Sequence, residues 1–99
     1  MMKNVNHPDH YNHKGKECIV EMREKYGYLM TAAFCLMNAY KYDYRCGHKG
    51  SPIEDIEKHD WYIKYYEDYL QKPIEEFAED RKIVSDIKKL YNDLTGGRE

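Results

Sequence analysis

Residues 38–58, NAYKYDYRCGHKGSPIEDIEK, decide how this chain folds. They read as the end of one helix, a turn bounded by glycines and the start of the next helix. Asn38, Lys41 and Arg45 stand at i, i+3 and i+7 and share one helical face. Gly47-His48-Lys49-Gly50 follows, with a further cation between two residues that tolerate unusual backbone angles. Ser51-Pro52-Ile53-Glu54 carries the marks of a helix start: Ser51 as N-cap, Pro52 at the first helical position and Glu54 closing a capping box. Asp55, Lys58 and Tyr62 repeat the i, i+3, i+7 spacing on the second helix. Two polar stripes therefore meet at a basic turn, an arrangement suited to a phosphate-bearing ligand.

Outward from this corner the pattern stays helical. Residues 1–15, with Pro8 and Gly15, show no helical period and form an irregular arm. Its His7, His10 and His13 lie beside Asp9, but an irregular segment lacks the fixed geometry of a metal site. Histidine and asparagine there serve better as donors to a ligand. A short helix over 16–25 ends at Gly27, and a second over 28–44 places Leu29, Ala33, Leu36, Tyr40 and Tyr44 on one stripe. The small pair Ala32-Ala33 lets another helix approach closely.

A third helix, 52–71, buries Ile56, His59, Ile63, Tyr66 and Leu70, with Lys58, Tyr62, Tyr65 and Tyr69 on the opposite stripe. Lys72-Pro73 interrupts it. A fourth, within 74–95, has Phe77, Val84, Ile87, Tyr91 and Leu94 on a narrow seam, and Gly96-Gly97 stops it. No segment alternates with period two. The fold class is all-α: one domain of about four helices, with a core over 16–71 and a C-terminal helix over 74–95. That narrow seam suits pairing with another copy, so a homo-oligomer is expected.

With 99 residues there is room for one modest core. Charged residues make up 34% and hydrophobic ones only 41%, but eleven tyrosines can each bury a ring, so a folded, tyrosine-rich core is expected. A net charge of −2 argues against a nucleic acid polymer as partner. Between residues 41 and 49, however, Lys41, Arg45 and Lys49 outnumber Asp43, a focused charge that fits a small anion. The three cysteines, Cys18, Cys35 and Cys46, have no CxxC spacing, which points to reduced thiols and a cytoplasmic protein. Neither a signal peptide nor a membrane-spanning run is visible.

No GxxxxGK[ST] loop, GxGxxG or GxSxG is present. Glu75, Glu76, Glu79 and Asp80 are the strongest acidic cluster, and resemble the Mg²⁺-binding carboxylates of all-helical nucleoside triphosphate pyrophosphatases. A second acidic motif is missing, and helix starts favour acids in any case.

Several ordered motifs resemble a small phage family. They are Val5-Asn6-His7-Pro8-Asp9-His10-Tyr11, Gly15-Lys16-Glu17-Cys18-Ile19, Asn38-Ala39-Tyr40-Lys41-Tyr42, Arg45-Cys46-Gly47-His48-Lys49-Gly50, Glu54-Asp55-Ile56-Glu57-Lys58 and Trp61-Tyr62. Members of that family are labelled nucleotide kinase-like, SaV-like, or are described only as a domain of unknown function. The resemblance spans about residues 5–70 and implies a phage protein, in the host cytoplasm, that binds or acts on nucleotides. A deoxynucleoside monophosphate kinase activity has been ascribed to one member. Carried over residue by residue, it places Asn6, His7, His10 and Tyr11 of the arm at the ligand. Asn38, Lys41, Tyr42, Arg45 and Lys49 join them from the turn, and Asp55, Lys58 and Tyr62 from the second helix. Met37 stands where the family usually has glycine, and Asp43 where it has an aliphatic or aromatic residue.

Two functions share such a pocket. A nucleoside monophosphate kinase needs Mg²⁺, for which Asp9 and Asp55 are the candidates, and its catalytic residues are not legible. A sponge needs only affinity for a nucleotide-derived immune signal of the host, cyclic or of ADP-ribose type, with tyrosines on the base and cations on the phosphate. On either reading, Arg45→Ala is expected to weaken binding at little cost in stability.

Overall fold

A computed structural model describes residues 12–13, 16–48 and 50–96. Asn6, His7, Asp9, His10, Tyr11 and Lys49 lie outside the described residues. The chain enters through a two-residue antiparallel pairing of β1 (Asn12–His13) with β2 (Lys16–Glu17), in which Asn12 faces Glu17 and His13 faces Lys16. Everything after it is helical: α1 (Cys18–Arg45), α2 (Pro52–Tyr65), a π-turn (Tyr66–Leu70), α3 (Gln71–Phe77) and α4 (Arg81–Thr95). The all-α class holds. Because α2, the π-turn and α3 run on without a break, the described chain forms three helical rods, one fewer than the spacing predicts.

Gly27 and Pro73 explain the difference. The expected end at Gly27 is a bend. Its φ of 91° and ψ of 174° fall in a region essentially reserved for glycine. The Thr31 hydroxyl donates to the Gly27 carbonyl at 2.8 Å, so the acceptor at the bend keeps a partner. Ile19 before the bend and Ala32, Cys35, Leu36 and Ala39 beyond it bury in one core, which holds both halves together. Pro73, expected to break the third helix, lies inside a rod. A proline lacks the N–H of a helix interior and crowds the carbonyl four residues back. The π-turn just before it relaxes that conflict: the Gln71 N–H reaches back five residues to the Tyr66 carbonyl. The break comes later. Ala78 is extended, and the Asp80 carboxylate accepts from the Ile83 N–H at 3.1 Å to start α4.

α1 and α2 run antiparallel, since Arg45 meets Asp55, Tyr42 meets Tyr62 and Arg23 meets Tyr65. Their contact corrects both predicted stripes. On α1 the buried set is Thr31, Ala32, Cys35, Leu36 and Ala39, while Tyr40 and Tyr44 face outward. Small side chains win the inner face because α2 lies against it and large rings would hold the helices apart. On α2, Ile56 is exposed and its neighbour Asp55 is buried; Ile63, Tyr65, Tyr66 and Leu70 complete the face. His59 is half-buried, its Nδ1 2.9 Å from the Asp60 carboxylate.

The tyrosine-rich core is real at Tyr65 and Tyr66, but Tyr26, Tyr28, Tyr40, Tyr44 and Tyr69 stay exposed. Burial pushes the Tyr66 phenol well above its usual range. The predicted C-terminal seam is covered within the chain only in part: Phe77, on α3, is 71% exposed. Ile87 is buried, and Leu90, Tyr91 and Leu94 pack against the same core. The Tyr91 hydroxyl donates to Glu67 on the π-turn.

Candidate functional site

The corner between α1 and α2 is built by local rules. The Cys46 N–H donates to the Tyr42 carbonyl at 3.1 Å and the His48 N–H to the Arg45 carbonyl at 2.9 Å, closing the last turn of α1. Ser51 caps α2: its hydroxyl accepts from the Glu54 N–H at 3.3 Å, with Pro52 at the first helical position as the sequence requires. Gly50 has a φ of 61°, and a Cβ there would stand 3.4 Å from Arg45 Nη2. A side chain at this position would be strained and would press on the guanidinium.

Under the turn lies an ion pair. Arg45 Nε is 3.3 Å from Asp55 Oδ1, with side-chain exposures of 39% and 4%. The geometry falls short of a hydrogen bond, and among the described residues Asp55 Oδ2 is buried without a hydrogen-bond partner. A carboxylate held this far from water depends on its nearby cation. Arg45 is therefore not the freely solvated donor that the sequence reading expects. It balances a buried charge as well as facing the turn.

Beside the pair, Tyr42 collects two ammonium groups. Lys41 Nζ is 4.6 Å and Lys58 Nζ 5.4 Å from its ring centroid, within cation–π range. The Tyr42 ring lies parallel to that of Tyr62, with centroids 6.2 Å apart and an interplanar angle of 8°. The structure thus gathers Lys41, Tyr42, Arg45, Asp55, Lys58 and Tyr62 at one corner. Asn38 takes less part, because its side-chain amide donates to the Phe34 carbonyl at 2.9 Å on its own helix.

Three contributors are missing from the predicted site residues, although Trp61 stands inside one of the quoted motifs. Phe34 meets Tyr62 edge-on at 5.8 Å, and Trp61 does so at 5.1 Å. From Trp61 the rings continue to Tyr65 at 5.5 Å and on to Tyr69 at 4.7 Å. Arg23 closes that far end: its Nη1 donates to the Tyr65 hydroxyl at 3.1 Å, and its guanidinium sits 5.8 Å from the Tyr69 centroid. The ladder thus has cations at both ends. Trp61 follows Lys58 by three residues and could have been found from helical spacing. Arg23 lies 42 residues from Tyr65 and gives no local signal.

The remaining candidates are occupied or inert. Glu75 pairs with Lys88 at 3.6 Å, Glu76 with Lys72 at 3.8 Å, and Asp80 caps α4. Among the described residues no three His, Cys, Asp or Glu side chains are grouped to hold a metal. Asp55 in particular has one oxygen against a guanidinium, which disfavours an adjacent Mg²⁺. Burial pushes the Cys35 thiol up to about 12, so it is no nucleophile at neutral pH. An open groove lined by Arg81, Ser85, Lys88 and Asn92 among others lies at the opposite end of the chain. No helix among the described residues is long and apolar enough to cross a membrane.

Neither the curated proteins nor the solved structures compared with this chain include a match. A family model does match over residues 5–64, more than half of the chain, taking in the arm, α1, the turn and most of α2. The matched region contains the whole corner, and the chain belongs to DUF3310, a family described as a protein of unknown function.

Proposed function

We propose that the α1–α2 corner binds a small nucleotide-type ligand. The observation that carries this reading is the pair of ammonium groups, Lys41 and Lys58, on the Tyr42 ring beside Arg45. Neither lysine has an ion-pair partner among the described residues, whereas the lysines of α4 are matched to carboxylates. Cations supply charge to phosphate oxygens, and the Tyr42 and Tyr62 rings offer a surface for a base. Lys49 would add a third point charge from the turn, and Asn6, His7, His10 and Tyr11 would approach from the arm.

The resemblance to phage nucleotide kinase-like proteins would add phosphoryl transfer with Mg²⁺ to this binding. The corner itself does not fit a protein-held Mg²⁺, so no step is drawn through one. The alternative, sequestration of a cyclic or ADP-ribose-type signal, requires nothing beyond the cations and rings described. Calorimetric titration with nucleoside mono- and triphosphates and with cyclic and ADP-ribose-like compounds, each with and without Mg²⁺, tests the reading. Chromatography of every mixture follows. Binding that Lys58→Ala weakens at least tenfold supports the corner. With a nucleoside triphosphate added as phosphoryl donor, Mg²⁺-dependent conversion of a monophosphate to a diphosphate, with matching loss of the donor's γ-phosphoryl group, would establish the kinase, and recovery of the ligand intact the sponge. Absence of binding across the panel sinks the proposal.

A further inference from the structure

α1 is apolar on two separate faces, and only one of them is covered. Ala32, Cys35, Leu36 and Ala39 are turned into the core. Roughly a third of a turn around the helix from them, Met30, Ala33, Met37, Tyr40 and Tyr44 follow one another at intervals of three, four, three and four residues. That is the a/d seam by which one helix packs along another. It lies in the open: Met30 is 64%, Met37 60%, Tyr40 54% and Tyr44 75% exposed. The stripe lies wholly beyond the Gly27 bend, runs roughly 21 Å and offers on the order of 500 Å² of apolar surface. A patch of that size is at the upper end of what a monomer leaves open. Two such stripes together reach about 1,000 Å², the small end of specific interfaces, only with Tyr44 covered as well.

We infer that this face is the contact surface for a second copy of the chain, packed antiparallel across a two-fold axis level with Cys35. In that register Met30 faces Tyr40 of the partner subunit, and Ala33 faces Met37 of the partner subunit. The pairing repeats with the roles exchanged, as an isologous interface demands. Each layer sets a smaller side chain against a larger one, so layer volumes even out. A parallel pairing would instead put alanine on alanine and tyrosine on tyrosine. It would also bring the basic ends of both copies, with Lys41, Arg45 and Lys58, side by side. The antiparallel arrangement separates those charges and opposes the helix dipoles. The interface so assigned lies on α1 and not on the C-terminal seam, where Ile87, Leu90, Tyr91 and Leu94 already pack within the chain.

Light scattering on the full chain, with Met37→Glu as the variant, tests this. The expected result is a wild-type mass twice the 12.0 kDa of the chain, falling to a single chain in the variant with helicity unchanged by circular dichroism. A wild-type chain that stays monomeric at the highest concentration reached overturns the inference, and leaves the stripe to some other partner or to the chain's own arm. A dimer that survives in a folded Met37→Glu variant overturns it as well. Should that variant fail to fold, Met30→Cys combined with Tyr40→Cys decides, in a background carrying Cys18→Ser and Cys46→Ser. Under oxidation a disulfide-linked dimer supports the register, and a product without linked chains rejects it.

Discussion

The helical part of the chain turns back on itself twice, and the two corners use charge in opposite ways. Between α3 and α4, charges are matched on the surface: Lys88 with Glu75, Lys72 with Glu76, and the Asp80 carboxylate with a backbone N–H. Such exposed pairs contribute little to stability. Between α1 and α2, one carboxylate is buried against Arg45, and two lysines rest on a tyrosine ring with no carboxylate paired to them among the described residues. The acidic run at 75–80 is the more conspicuous of the two in sequence. The quieter corner is the one with chemistry left over.

The contrast breaks most visibly at Arg45. Arg45→Ala strands the buried Asp55 carboxylate, which should cost about 2–3 kcal/mol, less than a fully buried pair because the guanidinium is partly exposed. This reverses the expectation of unchanged stability drawn from the sequence. Urea unfolding measures it, and in the double variant with Asp55→Asn most of the loss should disappear. An Arg45→Ala protein as stable as the parent would show that Asp55 does not need its counter-ion.

Lys41→Ala and Lys58→Ala come next. Each should weaken nucleotide binding about tenfold, or ~1.4 kcal/mol, while shifting folding stability by under ~0.5 kcal/mol. Calorimetry and thermal melts separate the two effects; a stability loss matching the affinity loss would make these lysines structural.

Gly50→Ala should cost about 1 kcal/mol, because its φ of 61° is unfavourable for an L side chain and the new methyl meets Arg45 Nη2. If the melting temperature of that variant equals the parent's, the turn relaxes more easily than its geometry implies.

At the other corner the smallest effect is expected. Lys88→Ala removes the contact with Glu75 and should change stability by no more than about 0.5 kcal/mol, with ligand binding untouched. A large change in either quantity would erase the distinction between the corners.

Local sequence was a good guide wherever the deciding forces are local. Ser51 and Pro52 start α2, and Gly96 in the left-handed conformation ends α4. It misled where two helices compete for the same space. Tyr40 and Tyr44 have the right period for a core, but so do Ala32, Cys35 and Ala39. Spacing alone cannot say which face α2 will cover. Pro73 likewise reads as a breaker until the π-turn before it is seen.

By itself, then, the sequence determined the helical class, the caps and turns, and the set of side chains that could form a basic corner. Those depend on backbone preferences and on neighbours within a few residues. Only the tertiary structure decided that Asp55 is buried, that Arg45 is bound to it, and that Lys41 and Lys58 from different helices share one ring. Only it, too, placed Met30, Met37, Tyr40 and Tyr44 on an outer face. Burial is a competition among faces for a limited interior, and the close approach of α1 and α2 awarded that interior to the small side chains.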